Sequence, residues 1–253
     1  MRAQVIEKPG EVFDRSVEWR HLVDFVERDD VRPALGVVSG RRRQGKTYLL
    51  EALTRAGGGF YFGATQATEA ESLRLFGEAL GTHTGAAVPP RFANWDEAMR
   101  HLFTARLTGP VVIDEFPYLS RSAPALPSIL QREIDRGVSQ ATSIRLLLCG
   151  SALSVMGRLL SGSAPLRGRA NLELIVRPFA HRLAAQYWGV HDPRLAFLLH
   201  AVVGHARLPP VSQRRRPALD RRLRRLGRAG RARPVLAAVP RGQVPARRGG
   251  RRP

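Results

Sequence analysis

The sequence at residues 40–47 is Gly40-Arg41-Arg42-Arg43-Gln44-Gly45-Lys46-Thr47, which matches the phosphate-loop pattern G-x-x-x-x-G-K-[ST]. Glycines let the backbone N–H groups turn toward phosphate oxygens, and the N-terminus of the next helix adds partial positive charge. In this pattern the Lys46 ammonium reaches the β- and γ-phosphates, and the Thr47 hydroxyl ligates Mg²⁺. We therefore expect residues 40–47 to bind ATP.

The flanking sequence supplies the context that this loop requires. The apolar run at Ala34–Ser39 predicts a strand, and Thr47–Ala56 predicts a helix. A chance match in an arginine- and glycine-rich chain would not need a strand before it and a helix after it, so the context favours a phosphate site.

A second motif ends another apolar strand. Val111, Val112 and Ile113 are followed by Asp114 and Glu115. Asp114 would hold Mg²⁺ through water and Glu115 would polarise the attacking water. An ordinary strand end capped by acids is the alternative, but an interval of 68 residues after Lys46 is normal for this fold and favours ATP hydrolysis.

Two further positions have open interpretations. Ser151 follows the apolar run ending at Cys149, where it would either contact the γ-phosphate or the attacking water, or cap the next helix. Arg167 and Arg169 precede the last predicted strand and are either arginine fingers or solvated loop arginines. Cys149 itself is expected to be inert core.

The three loop arginines, residues 41–43, are not required for phosphate binding, which uses backbone donors. We expect their side chains to be exposed and to assist electrostatically, with DNA contact as the alternative.

Alternating apolar runs and amphipathic stretches predict an α/β fold with a five-stranded parallel sheet flanked by helices. The predicted strands are Ala34–Ser39, Phe60–Ala64, Pro110–Ile113, Ile144–Cys149 and Leu172–Val176. The predicted helices are Arg20–Arg28, Thr47–Ala56, Thr68–Leu80, Asn94–Leu107 and Pro127–Arg136, and a small second unit follows with helices Ala180–Tyr187 and Arg194–Val203. Thr68 with Glu71, and Asn94, are placed to cap their helices.

Charge divides the chain in two. Residues 1–206 hold 25 Lys+Arg and 20 Asp+Glu, whereas residues 207–253 hold 16 Arg and one acid. The second stretch also has 7 Pro, 5 Gly and no aromatic residue. Such a composition cannot bury enough apolar surface to offset the entropy of ordering, so we predict a disordered basic tail.

Composition also excludes several classes of protein. One Cys excludes a disulfide framework and a cysteine-rich zinc site. No run of 18 uncharged apolar residues occurs, and the first ten residues carry Glu7 and Lys8 instead of an apolar signal core. We expect a soluble cytoplasmic protein with no membrane contact.

At the level of motifs the chain resembles the archaeal-type ATPases of the AAA+/STAND group of P-loop NTPases. The resemblance covers about residues 13–204. It rests on GRRRQGKT with the stretches Phe60–Thr65, Val112–Leu119, Leu126–Leu130, Leu148–Ala152, Pro165–Arg169, Val176–Phe179 and His200–Gly204. Phe13-Asp14-Arg15 is similar to a degenerate form of the family's F-x-x-R-x-x-E box.

The resemblance implies an ATPase core at residues 1–178, a partial helical lid at 179–206 and then the tail at 207–253. It implies ATP and Mg²⁺ as ligands, with Lys46, Thr47, Asp114 and Glu115 in the NTPase roles given above and Ser151 at the first sensor position. Catalysis in such proteins often uses residues of a neighbouring subunit, so a homo-oligomer is among the expected partners, and DNA-linked roles have been proposed for the family.

The sequence departs from the family at Gly204, where a G-G-x-P-x-Y motif is expected. Codons that would encode His205–Pro209, read one base later, give Thr-Pro-Ala-Tyr. We therefore expect a truncation or change of reading frame after Gly204, which the gene's nucleotide sequence tests.

Three functions follow from these patterns. The first is an ATP-binding protein with Mg²⁺-dependent ATPase activity, acting as a switch or motor. The alternatives are a basic nucleic-acid-binding protein, whose tail would bind in a salt-dependent and sequence-independent way, and an ATP-binding fragment that does not hydrolyse ATP.

Overall fold

The computed structural model describes residues 6–203. The strands are β1 (Ala34–Ser39), β2 (Phe60–Gly63), β3 (Pro110–Asp114), β4 (Arg145–Gly150) and β5 (Ala170–Ile175). The helices are α1 (Ser16–Val26), α2 (Lys46–Gly57), α3 (Glu69–Thr84), α4 (Trp95–Thr104), α5 (Phe116–Ser122), α6 (Leu126–Gln140), α7 (Leu153–Leu159), α8 (His181–Trp188) and α9 (Pro193–Val203).

The five strands form one parallel sheet in the order β2-β3-β4-β1-β5, which confirms the predicted fold class. The register pairs Ser39 with Gly150 and Ile113 with Leu148, so β3, β4 and β1 end side by side. Ligands of open parallel sheets bind at the carboxyl ends of the strands. The two predicted nucleotide motifs therefore meet at one edge of the sheet.

Side chains alternate between the two faces of the sheet, because successive residues of a strand point to opposite sides. On β3, Val111 and Ile113 join the core under α3–α7, whereas Val112 joins the core under α1 and α2. All five residues of β3 are buried. Burial on both faces explains the continuous apolar run in the sequence and holds Asp114, at its end, in a fixed position.

Most predicted elements exist with bounds shifted by a few residues. The difference at α1 is larger: the helix begins at Ser16, four residues before the predicted start. Its buried residues are Trp19, Leu22 and Phe25, a spacing that places all three on one face of the helix. The helix α5 was not predicted, because its seven residues directly follow the Asp114-Glu115 motif and contain Pro117.

Helices α8 and α9 occupy the region predicted as a lid. The predicted tail at 207–253, and residues 204–206 before it, lie outside the described residues. Between residues 6 and 203, none of the helices has both the length and the apolar composition needed to cross a bilayer.

Candidate functional site

The phosphate loop connects β1 to α2, and two glycines permit its course. Gly40 has φ +153°, and a Cβ there would lie 2.4 Å from the Val176 carbonyl oxygen. Gly45 has φ +80°, in the left-handed region that a residue with a side chain enters at a cost. The backbone thus requires glycine at both glycine positions of the motif.

The N-terminus of α2 has free hydrogen-bonding capacity. Its N-cap is Gly45, which offers no side-chain acceptor, and its first turn contains no acid. By contrast, α3 and α4 are capped by Thr68 and Asn94, and both carry acids in the first turn. Uncapped N–H groups and an unopposed helix dipole are what an anion binds.

Lys46 is 5% exposed, and its ammonium is hydrogen-bonded to the backbone of the phosphate loop. Nζ donates to the carbonyl oxygens of Gly40 at 2.8 Å and Arg41 at 2.9 Å. In the part of the chain that the structure describes, no carboxylate pairs with this ammonium. A buried cation without a counter-ion is costly, and a bound phosphate would supply one.

Asp114, at the end of β3, contacts Thr47, at the start of α2. Thr47 Oγ1 donates to Asp114 Oδ2 at 2.6 Å, and the hydroxyl of Tyr61 donates to the same oxygen at 2.9 Å. The backbone N–H of Glu115 donates to Oδ1 at 2.7 Å. The structure thus brings together Thr47 and Asp114, which the sequence placed at a metal site.

Tyr61 was missed by sequence reasoning. Burial, and then the neighbouring Asp114 carboxylate, raises the pKa of Tyr61. Its hydroxyl is therefore a neutral donor to Asp114 at physiological pH. The pairing of β2 with β3, with Gly63 opposite Asp114, is the signal that could have found it, but strand order is not read from sequence alone.

Cys149 is fully buried beside Asp114. Burial, followed by the charge and hydrogen bonding of Asp114, raises the pKa of Cys149 well above its ordinary value. The thiol stays protonated, in agreement with the inert role predicted for it.

Glu115 and Ser151 contact each other at the ends of β3 and β4. Ser151 Oγ donates to Glu115 Oε2 at 3.3 Å. The N-cap of α7 is Ala152 and accepts no side-chain hydrogen bond, so the helix-capping alternative for Ser151 is wrong. Glu115 has φ 50°, a left-handed conformation that costs about 1–3 kcal/mol in a non-glycine residue and is typical of functional sites.

The loop arginines have exposed side chains, as expected. The Arg42 side chain nevertheless contacts residues that follow β3 and β4. Its Nε donates to Ser151 Oγ at 3.4 Å and its Nη2 donates to the Tyr118 hydroxyl at 3.2 Å. The sequence predicted only an electrostatic assist or a DNA contact for Arg42, and it did not single out Tyr118.

The structure does not bring Arg167 and Arg169 to the phosphate loop. Arg169 forms a double hydrogen bond with Asp135 at 2.8 and 2.9 Å, and Arg167 Nη1 donates to the Gly162 carbonyl at 2.8 Å. Ala170, the next residue, pairs with Leu35 at the amino end of β1. The length of β1, about 16 Å, separates this end of the sheet from the phosphate loop.

Arg15 links the segment before α1 to the phosphate loop. It is 8% exposed, and its Nη2 donates to the Gln44 carbonyl at 3.1 Å. Nη1 pairs with Glu18 at 2.6 Å, and the guanidinium lies 4.2 Å from the centre of the Phe179 ring. The R-x-x-E part of the degenerate sequence box therefore supports the loop from outside.

Comparison with known proteins identifies one curated relative. The uncharacterized protein MJECL04 of Methanocaldococcus jannaschii is 28% identical over 177 residues, which cover 65% of this chain and 38% of that protein. No protein-family model matches the chain.

Several solved archaeal proteins have the same fold. The Walker-type ATPase PABY2304 of Pyrococcus abyssi aligns with a TM-score of 0.56 and 19% identity, covering 79% of this chain and 66% of that one. The ORC2 protein of Aeropyrum pernix, solved in ADPNP–ADP complexes, aligns with a TM-score of 0.53 and 17% identity, covering 78% and 59%. The ORC1 protein of the same organism, solved with DNA, aligns with a TM-score of 0.52 and 18% identity, covering 78% and 57%.

The chain has the fold of archaeal AAA+ P-loop ATPases. This confirms, at the level of the fold, the relationship that the sequence motifs predict. The chain spans 38% of the curated relative and about two thirds or less of these solved structures.

Proposed function

We propose that this chain binds ATP together with Mg²⁺ and hydrolyses it. The observation that carries the proposal is the 2.6 Å hydrogen bond from Thr47 to Asp114, next to the Lys46 ammonium, which no carboxylate neutralises among the described residues. Asp114 lies 68 positions after Lys46 and 67 after Thr47 in the sequence. A hydroxyl, a carboxylate and an ammonium gathered at an uncapped helix N-terminus match what a metal–triphosphate complex requires.

The donor set fits Mg²⁺. Magnesium prefers oxygen ligands and uses few protein groups, usually one or two carboxylates with substrate phosphates and water. Thr47 and Asp114 supply a hydroxyl and a carboxylate oxygen in contact, and Tyr61 holds that carboxylate in place. Bound there, the ion would neutralise phosphate charge.

Hydrolysis is assigned to Glu115 and Ser151. Glu115 follows Asp114 directly, so its carboxylate lies beside the metal residues and can take a proton from the attacking water. Ser151 donates to that carboxylate and orients it. This hydrogen bond supports the assignment of Ser151 to the first sensor position.

The variant Glu115→Gln tests the proposal. It keeps the size of the side chain and removes the base, so ATP binding should persist while turnover falls by roughly 10²- to 10⁴-fold. Turnover is measured as phosphate release and binding by calorimetry, both on the full chain. The control is Glu173→Gln, at an exposed position on β5. Equal turnover in Glu115→Gln and in the control would contradict the assignment.

The arginine fingers, the domain boundaries and the partners belong to the proposal too. Since Arg167 and Arg169 lie at the far end of the sheet, a finger role for either requires the site of a neighbouring subunit, and hence a homo-oligomer. We place the core at residues 1–178 and the lid at 179–206. The likeness to a protein solved with DNA supports DNA as a partner, with the switch or motor acting on it.

A further inference from the structure

Arg42 extends from the phosphate loop over the end of the sheet where β3 and β4 finish. Its guanidinium contacts Tyr118, on the first turns of α5, and Ser151, after β4. Both partners adjoin Glu115: Tyr118 N donates to the Glu115 carbonyl at 2.9 Å, and Ser151 Oγ donates to the Glu115 carboxylate at 3.3 Å. The Ser151 hydroxyl therefore links the Arg42 guanidinium to the carboxylate of Glu115, the proposed general base.

The partners of Arg42 leave its charge available. Both are neutral hydroxyl groups, so among the described residues no carboxylate neutralises this guanidinium. A guanidinium carries five N–H donors, of which two are used here. The side chain is exposed, so the remaining donors are open to solvent and available to a ligand.

The other arginines near the site do not share this placement. The side chains of Arg41 and Arg43 make no hydrogen bond or ion pair with residues 6–203. Arg15 is buried behind the loop against Gln44 and Phe179, and Arg169 is paired with Asp135 at the opposite end of the sheet. Arg42 alone among these five directs a guanidinium toward Ser151 and Glu115.

We propose that Arg42 is a catalytic arginine, supplied by this chain to its own site, that stabilises charge on the γ-phosphoryl group during hydrolysis. The inference rests on the proposed ATPase function. In the reaction, the water oxygen bonds to the γ-phosphorus while the bond to the β,γ-bridging oxygen breaks. Glu115 takes a water proton, and ADP leaves with the electron pair of the broken bond. The guanidinium donates to the phosphoryl oxygens, where negative charge is held.

A chain with its own arginine needs no neighbouring subunit to supply one. The arginine in cis gives a site that turns over as a monomer, whereas a finger in trans requires assembly. On this inference Arg42 acts at this chain's own phosphate, and Arg167 and Arg169, which bond to Gly162 and Asp135, are not required there.

The experiment measures steady-state ATP hydrolysis by the full chain for Arg42→Ala, Arg42→Lys and the control Arg91→Ala, at an exposed position before α4. We expect Arg42→Ala to lower kcat by about 10³-fold with KM changed by less than about threefold. Arg42→Lys should recover part of kcat, because it restores charge without the planar fork. Arg91→Ala should stay within about twofold of wild type.

Two accompanying measurements exclude a merely structural role. Thermal unfolding shows whether the loop still folds, and calorimetry compares the affinity for ADP with that for ADP plus aluminium fluoride, a mimic of the transferred phosphoryl group. Arg42→Ala should lose the extra affinity for the mimic and keep the affinity for ADP. A lowered Tm and raised KM with unchanged kcat would instead make Arg42 a support of the loop and overturn the inference.

The outcomes separate the inference from the function on which it rests. If wild type hydrolyses ATP and Arg42→Ala equals Arg91→Ala, Arg42 is not catalytic and the ATPase assignment stands. If wild type binds nucleotide without turnover, the mimic decides: equal affinity in wild type and Arg42→Ala overturns the inference. If wild type binds no nucleotide, the proposed function fails, and the inference with it.

Discussion

The Asp114 carboxylate accepts hydrogen bonds from three parts of the chain. Thr47 belongs to the phosphate loop and α2, Tyr61 belongs to β2, and the third donor is the backbone N–H of Glu115. A carboxylate held by this many donors has one orientation. The proposed Mg²⁺ site is therefore preorganised by residues that need not touch the ion.

Tyr61→Phe tests this preorganisation, because it removes one hydroxyl and keeps the ring. Outer partners of a metal ligand are worth roughly 10- to 100-fold in affinity, so the Mg²⁺ concentration that gives half-maximal hydrolysis should rise by about 10-fold. Since burial and Asp114 raise the pKa of Tyr61, we expect this difference to be the same across pH 6–9.

The control for this variant is Tyr48→Phe. The Tyr48 hydroxyl donates to the Glu11 carbonyl at 3.2 Å, away from Asp114. Superimposable Mg²⁺ titrations for Tyr61→Phe and Tyr48→Phe would mean that Tyr61 does not position the metal ligand.

Residues next to each other in a motif were predictable, whereas residues joined by the fold were not. The sequence pairs Lys46 with Thr47 and Asp114 with Glu115 because each motif is local. The contact of Thr47 with Asp114 follows once the motifs are assigned. Tyr61 and Tyr118 carry no signature of their own, since a tyrosine in an apolar strand or beside a proline is equally expected as core.

Among the helices, α3 and α4 have capped N-termini, whereas the N-terminus of α2 has no side-chain cap. Thr68 caps α3 by accepting from the Glu71 N–H at 3.3 Å, and Asn94 caps α4 by accepting from the Glu97 N–H at 3.0 Å. The N-terminus of α2 has neither cap nor acid. Several other helices also lack a side-chain cap, but the N-terminus of α2 is the one that follows the phosphate-loop motif, and we propose that it binds phosphate.

Thr68→Ala should destabilise the chain by about 1 kcal/mol, because it leaves an N–H of the first turn without its acceptor. Urea unfolding measures the change in the free energy of unfolding. The control is Thr65→Ala, an exposed threonine in the loop before α3, which should change stability by less than about 0.5 kcal/mol. Equal effects of the two substitutions would show that the cap contributes nothing.

Capping also explains which elements the sequence could locate. Thr68 and Asn94 mark the starts of α3 and α4, and both predicted caps are confirmed. The short helices α5 and α7 lack side-chain caps, and their seven residues are too few for a periodic apolar pattern. Helix α5 begins directly after Glu115. Its position is determined by the burial of Phe116 and Leu119 in the core and not by a local sequence pattern.

In the whole molecule, most of the net positive charge lies in a different part of the chain from the candidate site. The net charge of +20 arises largely in residues 207–253, outside the described part of the chain. The candidate site is built from residues 40–151, where Thr47 contacts Asp114 and Arg42 contacts Ser151. The proposed nucleotide site therefore depends on a few local charges and not on the net charge of the chain.

The proposed function depends most on Lys46, at the N-terminus of α2, which we expect to bind the phosphates of ATP. Isothermal titration calorimetry of the full chain with ATP and Mg²⁺, in wild type and in Lys46→Ala, tests it directly. We predict one ATP site per chain, with affinity reduced roughly 10- to 100-fold in Lys46→Ala because charge-assisted hydrogen bonds to phosphate are lost. No heat of binding in wild type, or equal affinity in the two proteins, would contradict the proposed role of Lys46.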